Sequence, residues 1–130
     1  MLFRSTGLGW GAGGAWADAT ANQFADWLEV DFAGTQTINE IDLFSLQDNY
    51  TAPVEPTLGM TFTQYGVTDF QVQSWNGSQW VTVPGGSVTG NTQVKAQLLF
   101  APVTTSRIRI LVTGAMAGYS RIVEVEAFTP

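Results

Sequence analysis

The sequence contains no cysteine and no histidine. Without cysteine there is no disulfide framework, no thiolate zinc or iron–sulfur site and no thiol nucleophile. Without histidine there is no Ser-His-Asp triad, no imidazole general base and none of the usual catalytic zinc sites. Positive charge is also scarce: five Lys and Arg stand against eleven Asp and Glu, a formal net charge of -6. Lys95 is the single lysine and the arginines are scattered, which argues against a phosphate-backbone partner and so against nucleic acid. Charged residues of both signs make up 12% of the chain, about half the usual ~25%. Disorder needs low hydrophobicity with high charge, and neither holds here. No apolar run approaches the ~18 residues of a membrane span, so no membrane insertion is expected. The start, Met1-Leu2-Phe3-Arg4, lacks the apolar core of an export signal.

What is present is a sparsely charged chain of 130 residues with fourteen glycines and five tryptophans. The length suits one domain with one core. Residues 1–25 are rich in Gly and Ala and carry Trp10 and Trp16 without clear periodicity, so they read as a Gly/Trp-rich loop region. Residues 26–130 read as the folded body, a β-sandwich. In residues 27–32, Leu28, Val30 and Phe32 fall on one face and Glu29 and Asp31 on the other, the alternation of a half-buried strand. Further strands are predicted at 38–46, 68–75, 79–83, 94–100, 107–113 and 121–128. Asn76-Gly77 signals a hairpin, and Pro84-Gly85-Gly86 reads as a turn. The stretch 47–66, with Pro53, Pro56 and Gly59, is too long and aromatic for a plain connector and reads as a binding loop. Seven or eight short strands with no persuasive amphipathic helix imply an all-β sandwich.

Several motifs have a bland reading beside a chemical one. Gly9-Trp10-Gly11-Ala12-Gly13-Gly14 spells a dinucleotide fingerprint, but that motif needs a preceding strand and a following helix, and residues 27–32 are themselves a strand. Three carboxylate pairs, Glu29/Asp31, Glu40/Asp42 and Glu124/Glu126, each put two acids on one strand face about 7 Å apart. That separation overlaps the one used by inverting glycosidases, but a glycosidase also needs a cleft and an acid with a raised pKa, and the bland reading, an acidic solvent face or a metal ligand, is preferred. Asn49-Tyr50-Thr51 and Asn76-Gly77-Ser78 fit the N-glycosylation pattern, and the second is also ordinary hairpin chemistry. Trp27, Trp75 and Trp80 lie in strands and read as structural in whole or part. Trp10 and Trp16 lie in the loop region, where an aromatic ring beside polar groups is a platform for the C–H face of a sugar.

Several segments in combination carry a family resemblance. They are Ala25-Asp26-Trp27-Leu28-Glu29-Val30-Asp31-Phe32, Ile38-Asn39-Glu40-Ile41, Gln47-Asp48-Asn49-Tyr50 with Val54-Glu55-Pro56-Thr57, and Gly66-Val67-Thr68-Asp69-Phe70-Gln71-Val72-Gln73. Asn76-Gly77-Ser78-Gln79-Trp80, Thr104-Thr105-Ser106-Arg107-Ile108-Arg109-Ile110 and Tyr119-Ser120-Arg121-Ile122-Val123-Glu124-Val125-Glu126-Ala127 follow in the same order. From about Gly11 onward the chain resembles the coagulation factor 5/8 type C (discoidin) family, and within it the family 32 carbohydrate-binding modules. The resemblance implies a jelly-roll β-sandwich acting as a non-catalytic adhesive module outside the cell, at a cell surface or on a virion. It implies a structural calcium, with Glu124 as the last-strand ligand, Glu126 as second choice and loop partners around Asp18 and Thr20. It places a glycan on loops at one end, for which the candidate residues are Trp10, Trp16, Asn49, Tyr50, Tyr65, Tyr119 and Arg121. Many relatives grip galactose with a histidine, a contact this chain cannot make. Arg107 and Arg109 fall on a strand and are expected to serve the framework.

The resemblance also implies an additional N-terminal segment carrying a first strand, which the sequence does not contain before Gly7-Leu8-Gly9-Trp10. One expectation is an open sheet edge available to a second copy of the chain, hence a homo-oligomer. Two functions therefore stand: a glycan-binding module, or an assembly subunit of a multi-copy surface structure with no soluble glycan ligand.

Overall fold

The computed structural model describes residues 16–130. Among the described residues there are six strands: β1 (Trp16–Ala17), β2 (Asp26–Ser45), β3 (Val67–Trp75), β4 (Trp80–Val88), β5 (Lys95–Ala115) and β6 (Arg121–Phe128). They hydrogen-bond in the order β1-β6-β2-β5-β3-β4, and every neighbouring pair is antiparallel. A single short 3-10 turn, Met116–Gly118, links β5 to β6. Among the described residues no helix is long and apolar enough to cross a membrane.

The strands predicted at 27–32 and 38–46 are the two halves of β2, and those at 94–100 and 107–113 are the two halves of β5. The halves stay joined because the two strands follow each other around the corners of the sandwich. Their register slips twice, between Asp31 and Gln36 and between Ile38 and Glu40. Such irregularities bend a sheet without breaking its ladder. The early half of β2 thus lies with late β5, β3 and β4, and the late half with early β5, β6 and β1. Thr37 and Thr104 hydrogen-bond through their hydroxyls across the corner at 2.8 Å. The result is a jelly-roll β-sandwich.

The core lies between the layers. Val30, Phe32, Ile108, Ile110, Val112, Phe70 and Val72 come from one side, and Ile38, Ile41, Leu43, Ala96, Leu98, Val125 and Ala127 from the other, all buried. The alternation read in residues 27–32 holds: Val30 and Phe32 are buried, Leu28 packs against them, and Glu29 and Asp31 are exposed.

Two local readings change and a third holds. Trp16 and Ala17 form a strand, pairing with Ile122 and Arg121 inside the stretch read as loop. Pro84-Gly85-Gly86 does not turn the chain but lies within β4, where the ladder slips between Gln71 and Gln73 and Gly85 takes φ +73. Asn76-Gly77 does close the β3–β4 hairpin. Asn76 Oδ1 accepts from the Ser78 and Gln79 backbone N–H groups at 3.0 and 2.9 Å, while Gly77 supplies φ +102.

Candidate functional site

The long connection between β2 and β3 has almost no regular structure, so side chains must satisfy its backbone. Gln47 does this twice against one residue: its Nε2 donates to Val54 O at 2.9 Å and its Oε1 accepts from Val54 N at 3.0 Å. Asp48 fastens the far side, accepting from Thr63 N at 3.0 Å, Thr63 Oγ1 at 2.9 Å and Gln64 N at 2.9 Å. The Thr63 backbone bond is the largest cause holding the Asp48 carboxyl below its ordinary pKa of 3.8. Asn49 Nδ2 closes the intervening turn on Ala52 O at 2.7 Å.

This fastening brings Tyr65 to the β5–β6 turn, because the Met116 N–H donates to Gly66 O at 3.0 Å. Gly66 is packed so closely against the buried Phe62 ring that an added Cβ would strike it unless the ring moved. The turn is held in its own way. Arg121 Nη1 donates to Met116 O at 3.3 Å, and the Asn22 N–H donates to Gly118 O at 2.7 Å. Ser120, fully buried, donates its backbone N–H to Asp18 Oδ1 at 2.6 Å and its hydroxyl to Asp26 Oδ2 at 3.0 Å.

Four of the predicted ligand residues meet as a consequence. Tyr50 and Tyr65 stand edge to face with centroids 5.4 Å apart and planes at 86°. The Arg121 guanidinium lies 5.4 Å from the Tyr65 ring and 5.1 Å from Tyr119. Tyr50 is exposed, and the other three are half-buried. Asn49 is adjacent in sequence but spends its amide on the turn. Trp16 is half-buried against the core on β1, one position from the Ala17–Arg121 pair. Trp10 lies outside the described residues.

The predicted calcium donors occupy two places. Asp18 Oδ1 serves Ser120 and its Oδ2 accepts from Thr20 N at 3.3 Å, at the start of β6. Glu124 and Glu126 lie further along β6, opposite Phe44 and Asp42. Among the described residues no group of three or more carboxylates is arranged to hold a metal ion.

A second aromatic array lies on the outer face of β2, β5, β3 and β4, and the sequence reading missed it. Arg107 sits 4.2 Å from the Trp75 ring and 5.5 Å from Trp80, and Arg109 sits 4.7 Å from Trp80 and 5.8 Å from Trp27. Trp75 and Trp80 also touch, centroids 5.4 Å apart. Arg107 pairs with Glu29 at 3.6 Å, and Arg109 Nε donates to Gln73 Oε1 at 2.7 Å, so both arginines do serve the framework as expected. Trp27 does not read as a structural ring: it is 55% exposed. The signal was available, since Trp27 shares the parity of Glu29 and Asp31 and so must point away from Leu28, Val30 and Phe32.

Comparison with known proteins agrees with this architecture. The family model of the F5/8 type C domain matches residues 9–125, and the chain belongs to that family. No curated protein matches the sequence. Solved structures do. The family 32 carbohydrate-binding module of Streptococcus pneumoniae EndoD superposes with a TM-score of 0.66 at 14% identity, covering 89% of this chain and 75% of that one. The family 32 module of Clostridium perfringens NanJ, solved with galactose, gives 0.62 at 15% identity over 87% and 74%. Chitosan-binding module 1 of a Paenibacillus sp. IK-5 chitosanase/glucanase gives 0.65 at 19% identity over 87% and 74%.

Proposed function

We propose that this protein is a non-catalytic carbohydrate-binding module that takes a glycan at the loop end through Tyr50, Tyr65, Tyr119 and Arg121, outside the cell or at a surface. The observation that carries the reading is the meeting of those four side chains: Arg121, at the start of β6, lies against the Tyr65 and Tyr119 rings, and Tyr50 stands edge to face on Tyr65. Aromatic rings offer faces to the C–H side of a sugar, and few polar groups are then needed to fix its hydroxyls. Membership in the F5/8 type C family supports it. So do the sugars seen or named with structural neighbours: galactose, chitosan and, for the family 32 module of AlyQ, 4,5-unsaturated mannuronic acid. With no histidine in the chain, hydroxyl recognition falls to Arg121 and backbone groups of the loop. Affinity per site is weak, and copies on one surface supply avidity.

Calorimetric titration with galactose-, glucose- and uronate-type oligosaccharides tests the proposal. Binding to one class is expected, with at least a tenfold loss in Tyr65→Ala and in Tyr50→Ala. Absence of binding across all three classes, or binding untouched by both substitutions, would overturn it.

A further inference from the structure

The outer face of β2, β5, β3 and β4 carries a ladder of alternating rings and guanidiniums: Trp27, Arg109, Trp80, Arg107, Trp75. A polar strip is interleaved with it. Gln73 Nε2 donates to Gln71 Oε1 at 3.1 Å and to Thr82 Oγ1 at 3.3 Å, and Thr82 Oγ1 donates to Gln71 Oε1 at 3.3 Å. Every one of these side chains stands on a strand, so their spacing is set by the ladder rather than by a loop. Thr105 reinforces the corner, its hydroxyl donating to Trp75 O at 2.8 Å.

Two features set this face apart from an ordinary framework. Trp27 is 55% exposed at the end of the ladder, although burying a tryptophan is worth several kcal/mol. Arg109, beside it, uses Nε on Gln73, which leaves its two terminal nitrogens as further donors. We propose that this face is a second carbohydrate surface, where an extended, uncharged polysaccharide lies across the strands with one sugar stacked on Trp27 and neighbouring hydroxyls on Arg109, Gln71 and Thr82, the buried Gln73 holding these three in place.

Charge selects that occupant. Arg107 and Arg109 face Asp31 and Glu29 in register on β2, so the face is neutral and gives an anionic polymer no net attraction. The Asp31 carboxylate already raises the Glu29 pKa above its ordinary 4.5, through hydrogen bonding first, and an added anion would meet the same repulsion. The Gln71 amide, the Thr82 hydroxyl and the Arg109 guanidinium beside exposed indole are what a hydroxyl-rich, uncharged chain needs. The inference does not depend on the loop-end site, and its test separates the two.

The experiment is affinity electrophoresis of the whole chain through gels containing a neutral galactan, β-glucan or mannan, with an alginate gel as charged control. At least one neutral polymer is expected to retard the protein. Trp27→Ala is expected to weaken that retardation at least tenfold while leaving binding of a small oligosaccharide at the loop end unchanged, and Tyr65→Ala is expected to do the reverse. Trp27 is exposed, so the variant is expected to keep the wild-type circular dichroism. As a measurement free of any fold change, the Trp27 indole N–H of the unmodified protein should shift in a nitrogen–proton spectrum when the polymer is added. The inference is overturned if no neutral polymer retards the chain, if alginate retards the Tyr65→Ala variant as strongly as the neutral polymer does, or if Trp27→Ala keeps full retardation. It is also overturned if Trp27→Ala turns a dimer into a monomer by light scattering, since the face would then belong to a second copy.

Discussion

Two aromatic clusters centred on arginine occur in this molecule, and they are built in opposite ways. At the loop end, Tyr65 and Tyr119 meet Arg121, and Tyr50 meets Tyr65, because side chains such as Gln47 and Asp48 pin an irregular backbone. On the strand face, three tryptophans meet Arg107 and Arg109 because continuous ladders set their spacing. A loop-borne site rests on a handful of hydrogen bonds, so single substitutions away from the rings can dismantle it. A strand-borne site shares its supports with the core and is lost only along with part of the fold. The first arrangement can vary its ligand by loop changes, and the second offers a surface of fixed pitch.

The sharpest way to break the contrast uses one glycine in each region. At Gly66 an added Cβ would strike the Phe62 ring, and at Gly86 it would lie 2.9 Å from both Val72 O and Val83 O. A ring can shift and a ladder carbonyl cannot, so Gly86→Ala is expected to cost more. Both fall in the range of about 1–3 kcal/mol typical of overpacking. In thermal melts, Gly66→Ala should lower the midpoint modestly and abolish loop-end binding while the tryptophan emission stays native. Gly86→Ala should lower the midpoint further and change that emission, because Trp80 rides on the same strand. If Gly86→Ala proves the milder, the strand face is not the stiffer of the two.

Next in size is Asp48→Ala. It removes the acceptor for Thr63 and Gln64, and bonds to a charged acceptor at a partly exposed site justify about 1–2 kcal/mol. Its larger effect should be on the ligand: at least a tenfold weaker titration at the loop end, with retardation by neutral polymer intact. The sign with pH follows from the lowered pKa. The stabilisation is present above pH 3.8 and is lost as pH falls through the folded-state value. A variant that keeps wild-type affinity would show that the loop holds its shape without the clamp.

How much of this was legible differs between the regions. The strands were readable wherever one face is buried, as in residues 27–32 and 121–128, because alternation is a direct consequence of the pleat. The union of neighbouring strands into β2 and β5 was not, since a corner leaves alternation locally scrambled and looks like a turn from sequence alone. Tyr50, Tyr65, Tyr119 and Arg121 could be named as candidates but not as neighbours. Their meeting depends on the bond from Met116 N to Gly66 O, a pairing of two distant backbone groups with no side-chain signal. The strand face was legible in principle, yet Trp27 was weighed by its residue type rather than by its parity. The ladder also needs the β3–β5 register that puts Gln73 opposite Arg109.

A third region, away from both clusters, carries a titration effect of its own. Asp42, on the late half of β2, is buried with Oδ1 lacking a hydrogen-bond partner, although Lys95 Nζ lies 3.6 Å from Oδ2. Burial first, then the neighbouring Glu40, push its pKa from 3.8 up to about 6, and Lys95 pulls the other way. The folded state therefore binds this proton more tightly than the unfolded state. Stability should fall as pH rises from about 4 to about 6 and level off above, by an amount on the order of 2 kcal/mol. Asp42→Asn should flatten that slope in denaturant melts taken at pH 4, 5, 6 and 7, without altering either kind of glycan binding. A slope that survives the substitution would assign it to other carboxylates.

The smallest expected effect bears most directly on why the strand face holds its shape. Glu29 and Arg107 pair at 3.6 Å with side chains 32% and 35% exposed. Exposed pairs of this kind contribute roughly 0–1 kcal/mol. The Asp31 carboxylate beside Glu29 offsets part of even that, since removing one of two like charges relieves repulsion. Arg107 is also held by the Trp75 ring at 4.2 Å, a contact that does not need Glu29. Glu29→Gln should therefore change stability by no more than about 0.5 kcal/mol and leave the tryptophan emission native. It should also leave neutral-polymer retardation intact while allowing an anionic polymer to begin to bind, because the face then carries one surplus positive charge. A large loss of stability would mean that the ion pair, and not the stack of rings and guanidiniums, orders the face.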